Sequence, residues 1–569
     1  MLTSLAVAGP VRYGQLAMQL GLNTVGGRRD SIVGLASATL VLAAASVVAG
    51  RFGVSDHAVA SLGIGLVGLL AAAIALLSRS MRVPVYRSVR AGLAPFAHGA
   101  LVLVAGLGAF LTWPGAMREG ALISLIAALA FHAAWSAPHL ARADGAVFAD
   151  ALTERFASRL LDGLVALALA GAVAVLAVMA LRASVAGLAA GFDLSVPLAR
   201  GTVLAAVAVI ILPGGMAGLA GVAALAAVLG IAGWLSPLAA LAASDLAPVD
   251  AIAATVLVEL GGNGMSAVHL TGWALAAAGA LVVLDTAQPA GTPRLARRAV
   301  VAAAVALPLL VTMLILGTTV IERRTDALFT TPVSRLPAAI LSDRAHDQVV
   351  FCGRSHADAR TLERSCERLR QDGRLPADAI TIQARERGRW MATVLDLPAV
   401  AGVVRDLAIP AILIVFAALL LHAGAGLIVH DAVYRALGRQ GTASGRLALH
   451  RVTTIALGWA ALLPDRPWPG IDGALATTTA LAALAALPVP LLLLGLWRRA
   501  DWKAALCGLA AASGVMAAPW FGSLAPGFAV PAAPLACLGA GLLAALIFPA
   551  PMTPDTDAAA PAAEAGQTA

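Results

Sequence analysis

The sequence predicts an all-α polytopic membrane protein of about fourteen transmembrane helices, and three observations carry that prediction. Of 569 residues 60% are hydrophobic and only 12% charged, about half the charge of an average soluble domain. Apolar runs of roughly 20 residues, each enough to cross a hydrocarbon core of about 30 Å, recur from Ser31 to Phe548. Arginines are gathered into the short connections between those runs, where membrane orientation is written.

Backbone groups in lipid must find partners within their own segment, which selects helices or closed barrels. Alternating strands of the barrel type are absent, so helices remain. The spans fall near 31–50, 57–79, 93–113, 119–137, 159–182, 199–213, 216–234, 265–286, 297–319, 406–429, 448–464, 472–496, 503–519 and 530–549. Pro213, Gly214 and Gly215 divide what would otherwise be one overlong run.

The loops test this order. Basic groups stand at Arg28/Arg29, Arg79/Arg82/Arg87/Arg90, Arg142/Arg155/Arg159, Arg294/Arg297/Arg298, Arg435/Arg439/Arg446/Arg451 and Arg498/Arg499/Lys503. With that span order all of them lie on one side, which the positive-inside rule makes cytoplasmic. The expected placement is therefore a multi-pass protein of the cell inner (cytoplasmic) membrane with both termini in the cytoplasm. The domain plan is a cytoplasmic segment 1–30, helices over 31–320, an external polar segment 321–405, helices over 406–549 and a disordered tail 550–569. Residues His356–Gln371 of the external segment carry Leu362, Cys366 and Leu369 at helical spacing, which predicts a short amphipathic helix.

The net charge of +8 belongs to these anchors. No aromatic-basic stripe of the kind nucleic acid requires is present, and the first 30 residues lack the charged, apolar and cleavage regions of a signal peptide. No metal-ligand, Ser/His/Asp or phosphate-loop pattern occurs, so no enzyme and no resident cofactor is expected. Cys507 and Cys537 lie in apolar helices as small buried residues. Cys352 and Cys366 could form a disulfide if segment 321–405 faces an oxidising compartment.

Several stretches resemble the sodium:solute symporter family, most of all its acetate-permease-like branch. Ile428-Val429-His430-Asp431-Ala432-Val433-Tyr434 is similar to the family's S-H-D-x-Y helix ending. Pro488 to Ala500, followed by Ala504-Ala505-Leu506-Cys507-Gly508, is similar to its P-x-L-L-L-G-L-x-W-x-R…G-A-x-x-G passage. Arg118-Glu119-Gly120, Phe148-Ala149-Asp150, Leu212-Pro213-Gly214-Gly215-Met216 and Arg294-Leu295-Ala296-Arg297 resemble earlier motifs in the family's order. Gly261 to Leu270 also looks like a family phrase, but in the wrong place, and is set aside.

The resemblance implies a LeuT-like core of two inverted five-helix repeats, the first helix of each repeat broken at the midplane around solute and ion. It implies a cation-coupled secondary transporter of a small organic solute, acetate or another monocarboxylate. Sodium or a proton would be the coupling ion, and the lipid bilayer and the solute the partners. The solute contacts it implies are His98, Gly99, Gly279 and Thr286.

The motifs depart from the family where the chemistry should lie. Gly99-Ala100-Leu101-Val102-Leu103-Val104-Ala105 replaces the polar first-core-helix motif, and Leu281, Val282 and Thr286 stand where proline, histidine and arginine are expected. The paired hydroxyls of the sodium site fall at Val415 and Phe416, and no Ser or Thr occurs between Leu407 and Val429. A hard cation wants oxygen ligands, so the ion site reads as erased. That loss supports an alternative: a non-transporting sensor or partner subunit on a symporter scaffold.

Intramembrane polar residues are costly and hence informative. His98 could meet solute or proton, or cap a helix end near the interface. Asp285 and Thr286 read as interfacial anchors or solute contacts, and His422 as bonded to a nearby carbonyl or as a titrating group. His132 and Trp135 sit where interface anchors are common.

Overall fold

The computed structural model describes residues 65, 68–74, 95–112, 118–136, 148, 152, 155–192, 194–242, 267–284, 297–298, 300–312, 349–351, 380–382, 399–439, 441–462 and 473–548. Six described helices are long and apolar enough to cross a membrane, and shorter apolar helices accompany them. The chain is a multi-pass, helical membrane protein.

In chain order the helices are α1 (Pro95–Thr112), α2 (Arg118–Phe131), α3 (Arg159–Phe192) and α4 (Val196–Ala242). Then come α5 (Ala267–Leu284), α6 (Val300–Thr312) and α7 (Ala399–Gly426), the last running on into a π-helical stretch, Leu427–Ala436. The series closes with α8 (Ala443–Leu462), α9 (Gly473–Ala486), α10 (Pro488–Leu496), α11 (Trp502–Ala517) and α12 (Pro526–Ile547). Helix α2 ends in a π turn, His132–Ser136, and α11 in a 3₁₀ turn, Ala518–Phe521.

Most spans lie where the apolar runs put them. The division at Pro213-Gly214-Gly215 is real: α4 kinks at Gly215, whose φ of 52° and ψ of −139° are non-helical, a conformation glycine adopts without steric cost. The run 472–496 is instead interrupted at Leu487, just ahead of Pro488, because proline cannot donate into the preceding turn. Helices α1 and α5 run unbroken over their described residues, which corrects the expectation of a broken first helix in each repeat. Both are strongly apolar through their middle turns, from Gly99 to Leu111 and from Trp273 to Leu284, so nothing in those side chains favours an exposed backbone.

Among the described residues the β structure is one antiparallel pair, β1 (Val349–Phe351) with β2 (Ile380–Ile382), in the register Val349 to Ile382. Sequence reading missed it, although both triplets are rich in β-branched residues. The expected helix at 356–371, the pairing of Cys352 with Cys366, the span 31–50, both chain termini, and Asp285 and Thr286 all lie outside the described residues.

The core is a continuous apolar cluster in which α3, α4 and α7 pack together and α5, α9, α11 and α12 complete the bundle. Glycine lets these helices approach closely. A Cβ on Gly279 of α5 would collide with the carbonyl oxygen of Leu484 on α9. A Cβ on Gly508 of α11 would lie 2.6 Å from the Cys537 carbonyl oxygen on α12. Cys537 is buried as expected, but Cys507 faces outward, a correction to its expected burial.

Candidate functional site

Helices α1, α5, α7 and α9 converge on a small internal cavity lined by Ala105, Ala109 and Thr112 of α1, Leu281 of α5, Phe416 of α7 and Leu481 of α9, among others. About 20 Å³ of it is open to the centre of a water molecule, room for about one water and not for an organic solute. Its surface is carbon. The one hydroxyl at its wall, Thr112 Oγ1, donates to its own helix, 2.8 Å from the Gly108 carbonyl oxygen, with the Ala109 carbonyl at 3.1 Å.

Phe416 packs into the junction between α1 and α7 against Gly108. Its ring, 1% exposed, occupies the place of a side chain at Gly108. Val415 is buried beside it but does not line the cavity. Leu281 and Val282 are buried in α5. Of the residues singled out in the sequence, Phe416 and Leu281 therefore meet at the cavity. His98 is buried in the first turn of α1 and Gly99 half-buried beside it, and neither reaches the cavity. Gly279 is a helix-packing contact against Leu484.

His422 corrects an expectation. Its partner is another side chain: His422 Nδ1 and His450 Nε2 of α8 lie 3.0 Å apart and share a hydrogen bond, with the rings edge to face. Both are buried, so the bond satisfies groups that would otherwise be costly in an apolar interior. Thr454 Oγ1 donates to the His450 carbonyl, 2.8 Å away, on the same helix. At the other candidate helix end, His132 Nδ1 and Ser136 Oγ are 2.6 Å apart inside the π turn, and Trp135 stacks on Phe131.

A second polar cluster lies where α3 begins and α7 ends. Asp162 and Asp431 are both fully buried. Arg435 Nη1 stands 3.7 Å from Asp431 Oδ1 and His430 Nε2 stands 4.0 Å away. Arg155, just ahead of α3, is tied to the end of α10 and the turn that follows it: its Nε donates to the Gly495 carbonyl at 2.6 Å and its Nη2 to those of Trp497 and Ala500, each at 2.9 Å. The basic-loop pattern marked Arg155 only as an anchor. Its role as a three-carbonyl clamp joins positions some 340 residues apart and has no local signature.

No protein-family model matches the sequence, and no curated protein matches it. Solved structures do match. One is described as the substrate-bound outward-open state of a Na+-coupled sialic acid symporter. It superposes with a TM-score of 0.63 at 13% sequence identity, over 87% of this chain and 98% of that one. The two proteins share a fold.

Proposed function

We propose that this chain is a secondary transporter of a small organic solute that works without sodium at the junction of α1 and α7. The observation that carries the transporter reading is the extent of the fold likeness: 98% of the symporter chain finds a counterpart here, so a whole carrier scaffold is present. The late motifs around His430-Asp431 and Pro488 to Ala500 support a solute of the monocarboxylate class by resemblance. In the proposed topology the basic clusters and both termini are cytoplasmic and 321–405 is external. Because the cavity holds about one water, solute passage requires α1 and α5 to draw away from α7.

One observation favours a second reading, a non-transporting sensor or partner subunit on the same scaffold. Every group lining the cavity is apolar except a threonine whose hydroxyl is bound to its own backbone. Counterflow of labelled acetate, lactate and sialic acid in proteoliposomes separates the readings. Exchange above empty vesicles for any of these supports transport. Absence of exchange for all of them, with folded protein verified in the same vesicles, supports the second reading.

A further inference from the structure

The connection between α7 and α8 gathers arginines. It follows directly on the membrane-crossing helix Asp406–Ala436, so it lies where the bundle meets the membrane surface. Gly438 turns the chain there with a φ of 63°, which glycine adopts without steric cost. Arg159 of α3 reaches this turn from the side: its Nη1 stands 3.3 Å from the place a Cβ on Gly438 would take. Arg439 is the next residue of the turn and is exposed. Arg446, in the first turn of α8, lays its guanidinium over the Tyr434 ring, 4.6 Å from the centroid. Tyr434 packs on Gly441, where a Cβ would lie 2.5 Å from its Cε1, so Arg446 is held against the same turn.

Arg435 has its carboxylate in Asp431, 3.7 Å away. Arg159, Arg439 and Arg446 have none: among the described residues no acidic group stands in ion-pair range of any of them. The Arg446 Nε, shielded from water, meets no hydrogen-bond acceptor there. Like charges gathered at one turn attract an anion, and the planar guanidinium fork matches a phosphate.

Helix α8 indicates which phosphate. Its exposed apolar residues Leu449, Val452, Ile455 and Trp459 are spaced to share one side of a helix, and Arg446 stands at the head of that stripe. From Arg446 to Ile455 the helix advances about 14 Å at about 1.5 Å per residue. One leaflet of a hydrocarbon core of about 30 Å is about 15 Å deep. A free phosphate ion makes no use of such a stripe, whereas a phospholipid presents a phosphate and an acyl chain at that separation. A second copy docked by the same face would bring the same arginines to the same depth, like charge against like.

We propose that the α7–α8 turn and the outer face of α8 form a binding site for an anionic phospholipid. Its phosphate is held by Arg159, Arg439 and Arg446, and one acyl chain lies along Leu449, Val452 and Ile455. The headgroup then ties α3 to α8 across the turn. A zwitterionic lipid carries the same phosphate but brings an ammonium among the arginines, so the site selects net negative charge. None of this depends on the transporter reading.

The test uses the purified full-length protein in a neutral detergent, with bound lipid counted by native mass spectrometry and melting curves read in parallel. Phosphatidylglycerol should bind at least about tenfold more tightly than phosphatidylcholine of the same chains, and added salt should narrow that ratio. Arg439→Gln combined with Arg446→Gln should cut the preference to about twofold or less. Arg498→Gln, an exposed arginine in the turn after α10, should keep it. Equal binding of the two lipids, or an unchanged preference in the paired variant, overturns the site. Inorganic phosphate that stabilises the protein as well as phosphatidylglycerol does would assign the arginines to a free anion, and a dimer that lipid does not displace would assign the α8 face to a second copy. Either result overturns the proposal. Should the paired variant fail to fold, Arg159→Gln on α3 is read in its place, and an unchanged preference there overturns the site equally.

Discussion

Phe416 and Gly108 fit as ring and notch. A Cβ built on Gly108 would lie 2.5 Å from Phe416 Cβ and 2.6 Å from its Cδ1, so α1 can approach α7 only because position 108 has no side chain. Gly108→Ala should force the helices apart and destabilise the protein by about 1–3 kcal/mol, the usual cost of overpacking. Phe416→Ala should itself cost about 3–5 kcal/mol as a cavity opens. Combined, the two should cost less than their sum by more than about 0.5 kcal/mol. Melting of the detergent-solubilised proteins measures all three; strict additivity would mean that the contact does not set the helix spacing.

The positions of the helices were legible in the sequence because lipid imposes a length and a composition that few other environments demand. Their faces were not. Helices such as α1, α5 and α9 are strongly apolar with few polar residues and no polar face, so lipid-facing and core-facing residues carry the same chemistry and no periodicity tells them apart. The absence of hydroxyls at Val415 and Phe416 could be read from residue type, but the notch at Gly108 could not. The His422–His450 bond, 28 residues apart, and the Arg155 clamp are products of tertiary packing. The π stretch has no composition that distinguishes it from an α-helical end.

The histidine pair should behave as a coupled unit. His422→Ala leaves a His450 ring nitrogen buried without its present partner, a loss of about 1–3 kcal/mol. Replacing both rings with phenylalanine removes both polar groups while keeping volume, and should cost less than the sum of the two single Phe variants. A double-mutant cycle read by thermal melting gives the coupling energy. A value near zero would show that the bond contributes nothing.

Arg155 should resist conservative replacement. Its planar fork serves three carbonyls from two nitrogens, and a lysine ammonium, a single point charge, does not reproduce that geometry. Arg155→Ala should lower the melting temperature and speed proteolysis in the 497–501 connection, and Arg155→Lys should recover less than half of the loss. Full recovery with lysine would leave only the charge as the cause.

Asp501 caps α11, its Oδ1 accepting from the Lys503 and Ala504 backbone N–H groups at 2.9 and 3.0 Å. Asp501→Ala should cost about 1 kcal/mol and Asp501→Asn only a fraction of that. Melting curves of the two variants check it, and equal losses would contradict capping as the reason for an aspartate here.

The apolar junction of α1 and α7 is expected to work without sodium. Uptake of a labelled monocarboxylate into proteoliposomes, compared in sodium and choline buffers at fixed pH and fixed proton gradient, addresses that directly. Equal initial rates in the two buffers are predicted, because Phe416 occupies the junction and the Thr112 hydroxyl is committed to the Gly108 carbonyl. A steep, saturable sodium requirement would show that the junction of α1 and α7 still binds the ion.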